Sequence, residues 1–304
     1  MPLRQIVQIV CIAAFTMSVP SITARAQATP IGSAWASVET ALGRKGAPQS
    51  ENVIKFSFPR SDLVVTVGDV TLAPALALGS WVAFKMLEKG QVMVMGDLVL
   101  SEGEISPVMN ALQAGGVEQT ALHNHVLRES PRIMYMHISA RGDRLKIASS
   151  IRSALEKTGT PLGPTSPPPA SLATDLDTAA IARALGIRGK LNGVVYQVSV
   201  PRSETITDMG TEVPPSMGVA TALNFQPTGK GRAAITGDFV VRSAEVNPVI
   251  RELKSHGIEV TAVHSHMLDE KPRLFFMHFW ANDDAVALAK GLGAALDKMA
   301  VKRN

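Results

Sequence analysis

Two tandem homologous α+β domains, each an antiparallel or mixed sheet packed on helices and each bearing a histidine-rich β-hairpin, are what this 304-residue chain should form. The first reason is an internal duplication: Met95 to Asp143 aligns without a gap on Thr236 to Asp284 at an offset of 141, with 21 of 49 positions identical. The second is a break between the copies, where Thr158 to Ser171 carries five prolines and no apolar periodicity, the composition of a semi-extended linker. The third is that short helical patterns alternate with β-rich runs in the same order on both sides of that break. The domains expected are residues 27–157 and 172–304, joined by 158–171.

Residues 1–26 precede this pattern. A basic residue at Arg4, an apolar run from Ile6 to Val19 and Ala24-Arg25-Ala26 have the layout of a secretory signal peptide, and the run is too short for a membrane span. Cys11, the sole cysteine, lies in that run behind Val10, where a lipoprotein signal wants a small residue, so a cysteine-free mature chain without a lipid anchor is expected. Disulfides, thiolate ligands and a cysteine nucleophile are then excluded together. Cleavage removes two arginines and no acids, taking the formal charge from +4 to +2. With no basic run interleaved with aromatics, nucleic acid is not an expected partner, and no membrane span is expected once the signal is cleaved.

Each copy opens with a short helix, Ser33 to Leu42 and Asp175 to Leu185, closed by Gly43 and Gly186 in the C′ place. Strands follow at Val53 to Phe58 and Val194 to Val200, each ended by Pro-Arg-Ser and an acid, Asp62 or Glu204. The arginine there reads as a solvated turn residue more readily than as an anion grip. Further strands are expected at Leu63 to Val67, around Trp81 to Phe84, and at Val92 to Leu100, the last with an embedded Gly96-Asp97 that returns as Gly237-Asp238. Glycine within a strand marks a bulge or a close backbone approach. Asp97 and Asp238 are candidate metal or proton-transfer carboxylates, though a bulge amide is the simpler partner. A helix should start at Ser106-Pro107 and at Asn247-Pro248, N-cap and N1. His256, in the last turn of the second of these, reads as a C-terminal cap.

The histidines carry the chemistry. Six of the seven belong to two copies of H-x-H-x11-H: His123, His125 and His137, then His264, His266 and His278. If a hairpin turns symmetrically about Ser130, His123 faces His137, His125 faces Tyr135, and the period of two puts all four on one face. Cross-strand Cβ atoms ~5 Å apart would let three imidazoles converge on one ion at ~2.0–2.1 Å per ligand. Beside them lie Ala121, Leu127, Ile133 and Tyr135, an apolar setting in which each unpaired ring nitrogen would cost ~1–3 kcal/mol. A closing helix, capped by Asp143 and striped by Leu145, Ala148, Ile151 and Leu155, should cover one side of the sheet.

Glu129 and Glu270 follow each H-x-H by four residues, and the resulting H-x-H-x3-E resembles the first metal motif of cupins, although the later histidine and the intervening helix depart from that family. Both glutamates are possible ligand carboxylates; pairing with Arg132 or Arg273 is their structural alternative. The H-x-H with a third histidine from a neighbouring strand also resembles carbonic anhydrases.

A wider resemblance rests on five ordered motifs: Ala41 to Gly46, Pro59 to Asp62, Met95 to Leu100, Thr120 to His125 and Ser130 to His137. Together they resemble the LppY/LpqO-like family of secreted bacterial proteins, whose domain has no established function. The resemblance implies a bacterial protein that is periplasmic or secreted, and it brings no catalytic residues.

Three function classes stay open on the sequence. One is a metal-binding or metal-sensing envelope protein with a histidine cluster in each repeat; neutral imidazoles favour zinc, copper or nickel over magnesium or calcium. Another is a metal-dependent hydrolase or cupin-like enzyme, with Glu129, Asp97 or Glu104 as candidate base. The last is a metal-free module that binds a small molecule or another envelope component. The oligomeric state is left open, and no serine triad, phosphate loop or dinucleotide fingerprint is present.

Overall fold

The computed structural model describes residues 31–163 and 174–303. The expected signal peptide, Cys11 within it, and residues 164–171 of the linker lie outside the described residues. The first repeat runs α1 (Ile31–Leu42), β1 (Ala47–Pro48), β2 (Val53–Pro59), β3 (Thr66–Val67), β4 (Val70–Thr71), β5 (Gly79–Met86), β6 (Gln91–Ser101), α2 (Ile105–Ala114), β7 (Glu118–His123), β8 (Glu129–Ser130), β9 (Ile133–Asp143) and α3 (Arg144–Leu155). The second repeats that order as α4 (Thr178–Leu185), β10 (Lys190–Asn192), β11 (Val195–Pro201), β12 (Thr207–Asp208), β13 (Thr211–Glu212), β14 (Ala220–Gly229), β15 (Arg232–Val241), α5 (Ser243–Ser255), β16 (Glu259–His264), β17 (Glu270–Lys271), β18 (Phe275–Asp284) and α6 (Ala285–Leu296).

Each repeat is built on a six-stranded sheet, in the order β1-β2-β5-β6-β9-β7 and β10-β11-β14-β15-β18-β16. Every neighbouring pair is antiparallel, which settles the choice between antiparallel and mixed. The strand period of two sorts the side chains of β6: Val92, Val94, Leu98 and Leu100 lie in the core beneath the helices, with Trp35, Leu42 and Ile151. Met93, Met95 and Val99 point to the other face and are also buried.

That second face is covered by the partner repeat, reciprocally. Ile206, Val213, Met217 and Val219 of the second repeat pack on Val53, Ala83, Met93 and Met95 of the first. In exchange, Val65 to Leu78 of the first repeat share a core with Val195, Ala234 and Trp280 of the second. Polar ties hold these arms in register. Gln226 accepts from the Ala73 amide and donates to the Thr71 carbonyl, each at 2.8 Å, and Arg141 donates to the Asp208 carbonyl at 2.6 Å.

Several boundaries differ from expectation. The helices expected at Ser106-Pro107 and Asn247-Pro248 begin earlier, α2 at Ile105 behind a 3-10 turn over Glu102–Glu104 and α5 at Ser243, leaving Pro248 inside α5. The cause is a cap upstream: the Glu104 and Glu245 carboxylates accept from the amides of Ser101 and Arg242 at 2.8 and 2.7 Å. In α3, Asp143 caps Leu145 and Lys146 as expected, but Leu145 is exposed and Ile147 takes its place in the buried stripe. Arg60 and Arg202 are not solvated turn residues. Each is almost wholly buried, the first bound to Asp62, Glu104 and the Val99 carbonyl and the second to Glu204, Glu245 and the Val240 carbonyl. His256 caps α5 as expected, its Nδ1 donating to the Glu252 carbonyl at 2.9 Å. Among the described residues no helix is long and apolar enough to cross a membrane.

Candidate metal centre

The histidine strands pair two residues away from the symmetric hairpin. Ala121 faces His137 and His123 faces Tyr135, with a bulge between Gln119 and Ala121; in the second repeat Ala262 faces His278 and His264 faces Phe276. The connection is not a tight turn, because Glu129–Ser130 leaves the hairpin to pair with Thr66–Val67 of the arm. As a result β7 ends at His123, and His125 sits in the loop beyond it.

Strands β7 and β16, each at the edge of its sheet, meet across a local two-fold axis. Thr120 Oγ1 donates to the His266 carbonyl and Thr261 Oγ1 to the His125 carbonyl, two bonds related by the offset of 141. All six repeated histidines therefore converge. His123 stacks on His264 with ring centroids 3.6 Å apart, while His137 lies tilted against His266 at 3.6 Å and His125 against His278 at 4.0 Å. Tyr135 backs His125 at 3.3 Å and Phe276 backs His266 at 3.4 Å, closing the stack at both ends.

Among the described residues three groups have ligand atoms within 4.8 Å of one another: His123, His125 and His278; His123, His137 and His264; and Asp238, His264 and His266. Two of the three draw on both repeats. The triad expected within one copy, His123 with His125 and His137, is not among them, since the register shift moves His125 off the strand and toward His278. Ligands at ~2.0–2.1 Å from one tetrahedral ion lie ~3.4 Å apart, so loading calls for the rings to close by up to ~1.4 Å.

The nitrogens are prepared as ligands. His278 Nδ1 donates to the Gly237 carbonyl at 2.7 Å and His123 Nδ1 lies 3.1 Å from the Asn124 carbonyl, which leaves Nε2 of each with a free lone pair facing the cluster. Every one of the six rings carries a buried nitrogen with no hydrogen-bond partner: Nε2 of His123, His125, His137, His266 and His278, and both nitrogens of His264. Burial, aided by the neighbouring imidazoles, pushes His125, His137, His264 and His278 well below the usual histidine range. Burial likewise pulls His266 down to about 3, against the opposing pull of Asp97. These rings are neutral at ordinary pH, the form that binds metal.

Two carboxylates that sequence reasoning placed second belong to this centre. Asp97 lies opposite His137 across β6 and β9, its Oδ2 3.4 Å from His125 Nε2; Asp238 lies opposite His278, its Oδ2 3.0 Å from His266 Nε2. Neither serves a bulge, for the ladders around Gly96 and Gly237 are in register. Burial raises Asp238 to about 6, with nearby His278 and His123 opposing. The signal available in the sequence was the recurrence of Gly-Asp at the same offset as the histidines.

Glu129 and Glu270 are not in any of the three groups. Glu129 accepts from the Ile133 amide at 3.2 Å, and burial lifts it to about 7; Glu270 accepts from the Leu274 amide at 2.8 Å and pairs with Arg273 at 3.2 Å. Glu104 is engaged with Arg60 at 2.8 Å and is not a base for this site.

Residues 36–157 and 179–298 each match the model of one family, described as Domain of Unknown Function (DUF1259). No curated protein matches the chain. Among solved structures, the trimeric bacterial microcompartment shell protein PduB is 13% identical, with 83% of this chain and 90% of that chain covered at a TM-score of 0.20. EtuB from Clostridium kluyveri is 11% identical over the same shares at a TM-score of 0.18. Superpositions that loose carry no inference about this protein.

Proposed function

The chain belongs to the DUF1259 family, two copies of whose domain fill most of it, and on that premise we propose that it is an exported transition-metal-binding protein with one composite centre between its repeats. The ion is zinc, copper or nickel, the metals that neutral imidazoles prefer. One observation carries the reading: all six clustered histidines have a buried nitrogen without a hydrogen-bond partner, and only those of His125 and His266 have a carboxylate beside them. At ~1–3 kcal/mol for each unpaired group, the four rings whose unpaired nitrogen has no carboxylate beside it would forfeit roughly 4–12 kcal/mol, comparable to the whole stability of a domain. Bound metal removes that penalty at the rings it ligates, whereas a metal-free core leaves it standing. Export is supported by the N-terminal composition and by the likeness to LppY/LpqO-like secreted proteins. A metal-dependent hydrolase is the second reading, favoured by the orphaned Oδ1 atoms of Asp97 and Asp238 beside the histidines, where either could take a proton.

Elemental analysis of the tag-free protein tests the proposal. Native protein dialysed against zinc, copper or nickel should retain at least one of them. Changing His123 and His264 to alanine should abolish retention altogether, because each of the three groups contains at least one of them. Retention by that variant would mean that these groups do not hold the ion, and no retention by native protein would remove the metal reading.

A further inference from the structure

A narrow opening of about 10 Å³ lies beside His137 and His266 of the histidine cluster, and it is lined by Met95, Met217, Met267 and Trp81. The three methionines come from β6, from the second repeat's arm and from the loop after β16, so three separate elements bring thioethers to one place. Gly218 closes the side of the passage. Its φ of +91° suits glycine, and a Cβ there would meet the Trp81 ring at 2.8 Å while lying 3.9 Å from His266 Nδ1.

Buried methionine is ordinarily a core filler, and these three are 5%, 1% and 3% exposed. The duplication supplies a control for that explanation. Around the local two-fold axis Met95 corresponds to Thr236, Met217 to Leu76 and Met267 to Val126, while Trp81 corresponds to Ala222; the pairings Trp81 with Asp97 and Ala222 with Asp238 fix this equivalence. The opposite end of the cluster is thus packed without a single sulfur. Packing does not demand methionine here, and the sulfur is confined to the end where this opening lies.

We infer that the methionine-lined opening is the entry path for the ion and that the ion it passes to His137 and His266 is cuprous copper. This rests on the metal-binding reading above and narrows it. A thioether is a soft, uncharged ligand that holds Cu(I) but competes poorly for zinc or nickel(II), so three in succession discriminate among the metals that imidazole alone accepts. Entry involves ligand exchange only, sulfur for nitrogen, with no change in oxidation state.

The test is the anaerobic rate of Cu(I) uptake from its bathocuproine disulfonate complex by the full protein, compared with zinc uptake from a chromogenic chelator. In a Met95→Leu/Met217→Leu/Met267→Leu variant, substitutions that conserve volume, the Cu(I) rate relative to the zinc rate should fall at least tenfold. Should the triple variant not fold by circular dichroism, Met267→Leu alone should lower that ratio at least threefold. An unchanged ratio, or native protein that takes zinc but not Cu(I), would overturn the copper path and leave the histidine centre intact. Native protein that takes neither ion would overturn both.

Discussion

At the imidazoles of His125, His137, His264, His266 and His278 the folded state refuses protons that the unfolded chain accepts near pH 6.5. Their lowered values mean that the metal-free protein has its full stability above that pH and loses it as pH falls, by up to ~1.4 kcal/mol per unit for each ring. Asp238, raised to about 6 by burial, has the opposite sign: it keeps a proton that the unfolded chain releases, so its contribution grows as pH falls from about 6 toward ~4. Five rings outweigh one carboxyl. The melting temperature of metal-free protein should therefore drop steadily between pH 7 and 5, and a His125→Gln/His278→Gln variant should show a shallower drop; a flat profile in the native protein would contradict the burial of neutral rings.

Among the strands, Gly96 and Gly237 are decisive because the neighbouring backbone comes so near. A Cβ on Gly96 would meet the Trp81 carbonyl at 2.7 Å, and one on Gly237 would run into the Ala222 carbonyl. Both obstacles are backbone in the next strand, which cannot swing aside as a side chain can. Gly237→Ala should accordingly cost ~1–3 kcal/mol in urea unfolding, in the range of core overpacking. Since Gly237 also receives His278 Nδ1 and precedes Asp238, metal retention should weaken in the same variant. Gly257→Ala, in a residue with open space around it but φ +72°, controls for backbone strain alone.

The whole molecule is held together by exchange of cover between repeats, and the site exists only because of it. Residues 31–163 alone would expose Val53, Ala83, Met93 and Met95, which the second repeat buries. Each such side chain returned to water forfeits ~1.5–3 kcal/mol if fully uncovered. The first repeat by itself should therefore associate or aggregate in light scattering rather than remain monomeric, and it should hold no metal. A monomer with sharp cooperative unfolding would show that the repeats are independent domains.

Much of this was fixed locally and so could be read from residues alone. Gly43 and Gly186 end the first helices with φ of +67° and +70°, Asp143 caps α3, and the duplicated motifs give two copies of one α+β unit. The histidines were identified because their type and spacing recur. Their partners could not be, since which rings meet depends on contacts between positions some 140 residues apart in sequence. The excursion of Glu129–Ser130 to the arm moved the register by two, and the meeting of β7 with β16 turned two presumed triads into one cluster. Asp97 and Asp238 were visible as a repeated Gly-Asp but acquired a role only when β9 and β18 laid His137 and His278 across from them. Sequence periodicity determines which face a side chain takes; what that face confronts is decided by packing between elements remote along the chain.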